Sequence, residues 1–205
     1  MKFFYIGDPM CSWCWGFAPE RDKLRAAYPE AGFELVVGGL RPGTEEPWDA
    51  EMRQFLREHW VEIKARTGQP FKLDLLEEED FTYDTLPAAE AVALARQIDP
   101  KKGWSVFKAL QKAFYGDNRR ITEFAVLKEV LAEEGIDAEV FTEKWEADTE
   151  QMGAKTDFAI AQKLGVRSFP TLLLFLNDTW QIVTLGYRSA SDMQRRVEQY
   201  LEKAS

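Results

Sequence analysis

The chain carries its only two cysteines, Cys11 and Cys14, as a single Cys-x-x-Cys motif near its start. The motif follows a short apolar run at 3–6 that is typical of a buried strand, and it precedes a helical pattern at 17–28. Cys11 is therefore expected at or just before a helix N-terminus, where unpaired N–H groups and the helix dipole favour an anion. A thiolate there has a lowered pKa, and Cys14, one turn further along, can attack a mixed disulfide formed on Cys11. The spacing suits a redox pair in which Cys11 is the more exposed thiol and has the lower pKa.

Two other interpretations of the cysteines compete with redox chemistry. A tetrahedral zinc site needs two further ligands, and the chain has no third cysteine and only one histidine, His59. Zinc would therefore need carboxylates or a second subunit, and no metal is predicted. Inert packing of both thiols in the core is disfavoured by the order strand, turn, Cys-x-x-Cys, helix. His59 falls on the apolar stripe of the helix predicted at 48–67, where a packed, hydrogen-bonded core histidine is expected rather than a catalytic one.

The whole-chain numbers narrow the class of protein. With 205 residues, of which 45% are hydrophobic, the chain can form one well-buried domain or a core domain carrying an insertion. A net charge of −9 argues against nucleic acid or an anionic membrane surface as a partner. No apolar run approaches the ~18 residues of a transmembrane helix. Numbering begins at Met1 with the motif ten residues later, which leaves no room for a secretory leader, and two closely spaced cysteines agree with a cytoplasmic protein.

The order of predicted elements indicates an interrupted α/β domain. A second strand at 33–37 follows the first helix, the pattern is then helical almost throughout from 48 to 165, and strands return at 171–176 and 180–185. These four strands are expected to form one sheet, with a mostly helical domain inserted between its halves. Pro170 stands at the entry of the third strand, where it cannot donate to the ladder. It is a candidate for a cis bond, against the alternative of an ordinary trans proline.

Two motifs in this order resemble those of the DsbA-like thioredoxin superfamily of disulfide oxidoreductases. The stretch Asp-Pro-Met-Cys-Ser-Trp-Cys at 8–14 is similar to the Asp-Pro-x-Cys-x-Trp-Cys of its leaderless members, and Leu-Gly-Val-Arg-Ser-Phe-Pro-Thr at 164–171 is similar to its cis-proline segment. Between these two motifs the resemblance continues through the stretch at 113–127. The resemblance covers nearly the whole chain and implies a thioredoxin fold with a helical domain inserted. Residues 1–44 and 150–205 are then the thioredoxin-like domain, and residues 45–149 are the insertion.

The resemblance also implies roles for individual residues. Cys11 matches the nucleophile, Cys14 the resolving thiol, and Pro170 the cis-proline that faces them. The backbone of Phe169 is expected to pair with an extended substrate segment, as an added strand would. The dipeptide between the cysteines is Ser-Trp, where strongly oxidising periplasmic members have Pro-His. This difference leaves the direction of the redox reaction open.

The candidate substrate-binding residues lie in and beside the two motifs. They are Ser12, Trp13, Trp15 and Phe169. Four apolar side chains form either a platform beside the sulfurs or part of the core, and the sequence favours neither. These are Met10, Trp13, Trp15 and Phe17.

The sequence therefore predicts a cytoplasmic thiol-disulfide oxidoreductase or isomerase without a cofactor, acting on protein or peptide disulfides or on glutathione. One alternative is a glutathione-dependent transferase or isomerase, because kappa-class glutathione transferases and related isomerases are a branch of the same insertion fold. That branch has a serine where this chain has Cys11. The intact cysteine pair favours thiol-disulfide exchange over that reaction. Another alternative is a redox-sensing interaction module whose disulfide switches partner binding. The physiological substrate, the redox partner, the reduction potential and the oligomeric state stay open.

Overall fold

Four strands and eight α-helices make up the part of the chain that the computed structural model describes, residues 1–204. The strands are β1 (Lys2–Gly7), β2 (Gly32–Val37), β3 (Thr171–Leu176) and β4 (Thr179–Leu185). The helices are α1 (Ser12–Ala27), α2 (Ala50–Thr67), α3 (Leu86–Ile98), α4 (Gly103–Gln111), α5 (Phe124–Glu133), α6 (Ala138–Ala147), α7 (Met152–Lys163) and α8 (Ala190–Ala204). A 3-10 turn at Asp74–Glu77 and a π-helical turn at Lys112–Gly116 complete the regular structure.

The strands form one sheet in the order β2-β1-β3-β4. β1 runs parallel to β2 and antiparallel to β3, which in turn is antiparallel to β4. Because β3 returns antiparallel beside β1, with Thr171 opposite Ile6, the loop that follows β1 and the loop that precedes β3 meet at one end of the sheet. Asn177 and Asp178 join β3 to β4 with φ of 49° and 59°, the left-handed pair of a two-residue hairpin turn. The predicted single sheet and its thioredoxin-like fold are confirmed.

The segment between β2 and β3 is mostly helical, as predicted, and contains α2 to α7. α3 lies at its centre, with its alanines buried and α4, α5, α6 and α7 packed around it. One apolar cluster extends without a break from β1 and α1 into these helices. The boundaries of an inserted domain at residues 45 and 149 stay a prediction.

Two helix starts differ from those that the periodicity predicts. α1 begins at Ser12, whereas the pattern predicts a start near residue 17, because the Trp15 N–H already donates to the Cys11 carbonyl over 3.1 Å. The sequence also predicts Thr122, a favoured capping residue, as the cap of the helix that follows it, whereas α5 begins at Phe124 with Glu123 as its N-cap. Both differences move a helix boundary by a few residues and leave the order of elements unchanged.

Within the helical stretch, the sequence pattern predicts one helix over 104–115, and the structure interrupts it. α4 ends at Gln111, and the five residues that follow form the π-helical turn. A π turn inserts an extra residue and changes the direction in which the following side chains project, and such turns are frequent at functional sites. Tyr115 lies in this turn.

Burial is divided between the two faces of the sheet. The large apolar cluster lies on the face that carries Phe3 and Tyr5. A smaller cluster that includes Ile6, Val36 and Leu173 lies on the other face, where α7 covers it. Within residues 1–204, no helix combines the length and the apolar character needed to cross a bilayer.

Candidate active site

Cys11 stands at the junction between β1 and α1. β1 ends at Gly7, and the chain then turns so that the Cys11 N–H donates to the Asp8 carbonyl over 3.1 Å. Cys11 has extended backbone angles and is the N-cap of α1. The predicted position at a helix N-terminus is therefore confirmed, and Cys14 follows within the first turn of the helix.

The two cysteines are free thiols with different surroundings. Cys11 keeps 5% of its surface exposed, whereas Cys14 is fully buried, in the predicted order. The Cys11 Sγ faces the carbonyl oxygen of Phe169 at 3.9 Å. Cys11 is thus the more accessible of the two sulfurs. Within residues 1–204, no group of three His, Cys, Asp or Glu side chains is placed to hold a metal ion.

The pKa of the Cys11 thiol corrects the expectation drawn from the helix end. Its hydrogen bond with the Cys14 thiol and its burial raise the pKa well above the usual value, and the backbone N–H of Cys14 only partly opposes this. The helix N-terminus acts over its first turn alone, whereas burial withdraws water from the whole thiolate. The position at the helix N-terminus therefore does not give Cys11 the lowered pKa that the sequence predicts.

The loop before β3 supplies the group that faces Cys11. The Phe169–Pro170 bond is cis, as predicted, and the buried Pro170 accepts from the Gly186 N–H over 2.7 Å through its carbonyl. The half-buried Phe169 ring lies against Gly38, where a Cβ would come within 2.3 Å of the ring. Close packing therefore holds Phe169 in place beside Cys11.

A cleft of about 310 Å³ opens beside Cys11. One side, which we name the sheet wall, comes from the loops at the end of the sheet and the first turn of α1, and consists of Cys11, Ser12, Trp13, Leu40, Arg41 and Phe169. The other side, the helical wall, comes from α2 and the segment before α3 and consists of Met52, Phe55, Leu56, His59 and Tyr83. Most of these side chains are apolar, and no carboxylate within residues 1–204 lines the cleft.

The residues predicted to bind substrate fall into two groups. Those that line the cleft are Ser12, Trp13 and Phe169. Trp15 lies outside the cleft: it is buried, and its indole N–H donates to the Pro70 carbonyl over 2.8 Å. Met10 and Phe17 are fully buried as well. Of the four apolar side chains considered as a platform, only Trp13 reaches the cleft.

His59 is not the core residue that its place on an apolar stripe predicts. It is half-buried in the helical wall, stacked on Phe55 with 5.5 Å between ring centroids. It also meets Trp13 edge to face at 5.8 Å. On the same helix, Leu56 and Trp60 are buried. The apolar stripe of α2 therefore faces the core along one edge and the cleft along the other.

Three polar side chains that the sequence pattern does not single out converge on the backbone of Met10. Asp8 accepts from the Met10 N–H over 2.8 Å through Oδ1, and from the Leu40 N–H over 2.9 Å through Oδ2. The hydroxyls of Tyr83 and Tyr115 both donate to the Met10 carbonyl. Burial raises the pKa of Asp8 to about 7. The resemblance offers a signal for two of them: Asp8 shares the motif with Cys11, and Tyr115 lies in the resembling stretch at 113–127. Nothing in the sequence marks Tyr83.

A buried cation lies in the core behind Cys14. Arg21, two turns beyond Cys14 on α1, is fully buried, and its guanidinium lies 5.4 Å from the ring centroid of Tyr5 and 5.2 Å from that of Trp104. Tyr5 is fully buried, and its burial and the neighbouring Cys14 raise the pKa of its phenol well above the usual value. A protonated phenol and a positive charge thus stand on the core side of Cys14.

The sequence matches a family model described as thioredoxin over residues 3–185. Among solved structures, the chain is similar to a candidate protein disulfide isomerase from Nitrosomonas europaea, with 31% identity, a TM-score of 0.90 and coverage of 100% of this chain and 98% of that one. It is also similar to the cytosolic disulfide reductase DsbM from Pseudomonas aeruginosa, with 27% identity, a TM-score of 0.80 and full coverage of both chains. A structure of DsbM with GSH matches at 28% identity and a TM-score of 0.77, over 98% of this chain and 100% of that one.

The curated relatives are described as adapter proteins, not as disulfide oxidoreductases. They include the ClpXP adapter protein SpxH of Bacillus licheniformis, 25% identical over 175 residues, and that of Bacillus subtilis, 22% identical over 177 residues. Each match takes in 85% of this chain and 58% of the relative. The chain thus spans less than two thirds of the length of these relatives.

Proposed function

The chain belongs to the thioredoxin family, and we propose that it is a thiol-disulfide oxidoreductase whose redox-active pair is Cys11 and Cys14. One observation carries the proposal: the less buried thiol, Cys11, caps a helix and faces the Phe169 carbonyl at 3.9 Å in an open cleft. The similarity to DsbM and to the candidate disulfide isomerase supports the same chemistry.

Exchange proceeds in two balanced steps. The Cys11 thiolate attacks one sulfur of a substrate disulfide, forms a mixed disulfide and releases the other sulfur as a thiolate. The Cys14 thiolate then attacks the Cys11 sulfur, which forms the Cys11–Cys14 disulfide and releases the second substrate thiolate. The two protons lost by the cysteines neutralise the two released thiolates, and two electrons pass to the substrate. Two equivalents of a small thiol such as glutathione can return the pair to the reduced state.

Substrate would bind along the sheet wall. The carbonyl of Phe169 offers an acceptor for the backbone N–H of an extended peptide, while Ser12 and Trp13 flank the sulfurs. Trp13 and the apolar helical wall favour a peptide disulfide with apolar neighbours. The DsbM structure with GSH supports glutathione as a second thiol partner. The cytosolic description of DsbM supports a cytoplasmic location for this chain also.

The test is the reduction of a peptide disulfide by dithiothreitol with catalytic amounts of protein. Both Cys11→Ser and Cys14→Ser are expected to lose turnover. When reduced Cys14→Ser is mixed with the peptide disulfide in the absence of dithiothreitol, a mixed disulfide should accumulate on Cys11, since the resolving thiol is gone, and mass spectrometry detects it. Turnover that persists in Cys11→Ser would overturn the assignment.

A second candidate function rests on the SpxH relatives. A redox-sensing adapter would bind a partner in one oxidation state of Cys11 and Cys14 without turning over substrate. Degradation of a test protein by purified ClpXP, measured with the oxidised and the reduced chain, separates the two functions. Stimulation that depends on oxidation state and survives without peptide-disulfide turnover favours the adapter.

A further inference from the structure

The backbone of Met10, directly before the nucleophile, is held at both ends by side chains. Asp8 accepts from its N–H, and Tyr83 and Tyr115 donate to its carbonyl oxygen, Tyr115 over 2.5 Å. A carbonyl oxygen has two lone pairs, and the two hydroxyls occupy both. A buried carbonyl needs only one partner, so the second hydroxyl exceeds what burial requires.

The two tyrosines reach Met10 from separate parts of the helical segment. Tyr83 lies just before α3, and Tyr115 lies in the π-helical turn that follows α4. Aromatic packing fixes both rings: Tyr83 is stacked on Phe114 at 5.9 Å, and Tyr115 is stacked on Trp15 at 6.3 Å. Burial raises the pKa of both phenols, so both stay protonated and act as donors at neutral pH.

The Met10 carbonyl competes for an N–H group that the site uses. Met10 lies four residues before Cys14, so its carbonyl is the acceptor that the Cys14 N–H would find if α1 began one residue earlier. Instead α1 begins at Ser12, and the Cys14 N–H favours the charged form of the Cys11 sulfur. Hydroxyls bound to the Met10 carbonyl keep this N–H available to Cys11.

We infer that Tyr83 and Tyr115 are positioning residues of the exchange reaction, an inference that rests on the function proposed above. By binding the Met10 carbonyl, they hold the start of α1 at Ser12 and leave the Cys14 N–H to stabilise the Cys11 thiolate. They also offset the negative end of the carbonyl dipole beside the sulfur. The helical segment thereby sets the reactivity of a nucleophile that lies between β1 and α1.

The Met10–Cys11 peptide is the only Met-Cys pair in the chain, which permits a selective measurement. With carbonyl-¹³C methionine and ¹⁵N cysteine, a carbonyl–amide correlation spectrum of the reduced protein contains one peak, from the Met10 carbonyl and the Cys11 N–H. In Tyr83→Phe and Tyr115→Phe we expect the carbonyl resonance to move upfield, as it does when a carbonyl loses a hydrogen bond. The Cys14 amide resonance should move in the same variants.

The deciding measurement is the pH profile of Cys11 alkylation by iodoacetamide, followed by peptide mapping. Each single variant is expected to alkylate about two- to ten-fold more slowly at pH 7, the range of one net hydrogen bond. In the double variant Tyr83→Phe/Tyr115→Phe, the alkylation rate should fall by a larger factor than the product of the two single-variant factors. The reason is that one remaining hydroxyl still holds the Met10 carbonyl in each single variant. Cys14, Asp8 and Tyr5 also influence the Cys11 sulfur, and Arg41 lines its cleft. These groups are the same in every variant.

Tyr28→Phe is the matched control, because the half-buried Tyr28 lies at the far end of α1 from the cysteines. A slowed alkylation profile in the Tyr83 and Tyr115 variants but not in the control supports the inference. Unchanged profiles would overturn it and leave the hydroxyls with the structural role of satisfying a buried carbonyl. If a phenylalanine variant does not fold, 3-fluorotyrosine at the same position strengthens the donor, and faster alkylation is then expected. Neither measurement needs turnover, so each remains informative if the exchange assay fails.

Discussion

The two walls of the cleft are built in different ways. The sheet wall consists of short loops and the first turn of α1, fixed by backbone hydrogen bonds and close packing. Behind it, the Gly38 N–H donates to the Gly7 carbonyl over 2.8 Å, and Gly38 leaves no room for a Cβ beside Phe169. The helical wall is largely one face of α2, on which Phe55 is 58% exposed and His59 is half-buried. Reacting sulfurs need fixed neighbours, whereas a surface that accepts varied substrates does not. Changes to the loops behind the sheet wall should therefore affect chemistry and stability, and changes to the helical wall should affect substrate binding.

The largest effect is expected at Asp8, which ties two loops of the sheet wall together through Met10 and Leu40. Burial raises its pKa to about 7, against about 3.9 in an unfolded chain. Between pH 4 and 7 the folded protein keeps a proton that the unfolded chain has released. The contribution of Asp8 to the free energy of unfolding is therefore fully present below pH 4 and is lost as the pH rises to about 7. Over the full window the loss is on the order of 4 kcal/mol. The asparagine in Asp8→Asn cannot ionise. Chemical denaturation at several pH values should therefore show that the free energy of unfolding of this variant falls less between pH 4 and 7 than that of the wild-type protein.

Glu90 provides the comparison from the helical segment. Burial raises its pKa to about 7 as well, and it accepts from the Ala154 N–H at the start of α7 over 2.7 Å. Glu90→Gln should therefore also weaken the pH dependence of stability. Of these two variants, only Asp8→Asn should alter the pH dependence of Cys11 alkylation, because Asp8 binds the Met10 N–H and Glu90 does not contact Met10. Stability curves of Asp8→Asn and wild type that run parallel from pH 4 to 7 would contradict the prediction.

A smaller effect is expected at Gly38, where the packing of the sheet wall leaves no free space. A Cβ at this position lies 2.3 Å from the Phe169 ring, so Gly38→Ala must displace the side chain whose own backbone carbonyl faces Cys11. Overpacking of this kind costs about 1–3 kcal/mol of stability, and misplacing a group beside the reacting sulfur should slow exchange by about ten-fold or more. Gly32→Ala, at the other end of β2, is the control, because its Cβ meets only the flexible Lys2 side chain, at 3.1 Å. Equal losses in the two variants would mean that the close packing around Phe169 has no special part in the reaction.

The sheet wall could largely be predicted from the sequence, because local signals mark its residues. The apolar run of β1, the cysteine spacing and the proline before β3 are readable without tertiary information, and they place Cys11 and Phe169 at one end of the sheet. The pKa of Cys11 could not be predicted in this way. The helix end is a local effect, whereas its burial and its contact with Cys14 arise only when the cleft closes around it.

There is a physical reason why the helical wall could not be predicted from the sequence. An apolar stripe shows which face of a helix avoids water, but the same stripe on α2 carries buried Trp60, half-buried His59 and exposed Phe55. Whether a position faces core or cleft depends on what packs against it. The same holds for Tyr83 and Tyr115, whose hydroxyls meet at Met10 only because a loop and a π-helical turn converge there.

The smallest effect is expected at Phe55, and it tests the helical wall directly. Phe55 lines the cleft and is 58% exposed, so a bound apolar side chain can cover it further. Truncation in Phe55→Ala should cost about 1 kcal/mol of substrate binding, a rise in KM of about five-fold for peptide disulfides with apolar neighbours. The value of kcat should stay the same, and stability should change by less than about 0.5 kcal/mol because the ring is exposed. Val61→Ala is the matched control, since Val61 lies on the same helix, is 51% exposed and does not line the cleft. A fall in kcat without a rise in KM would place the helical wall in the chemical step and remove the difference between the two walls.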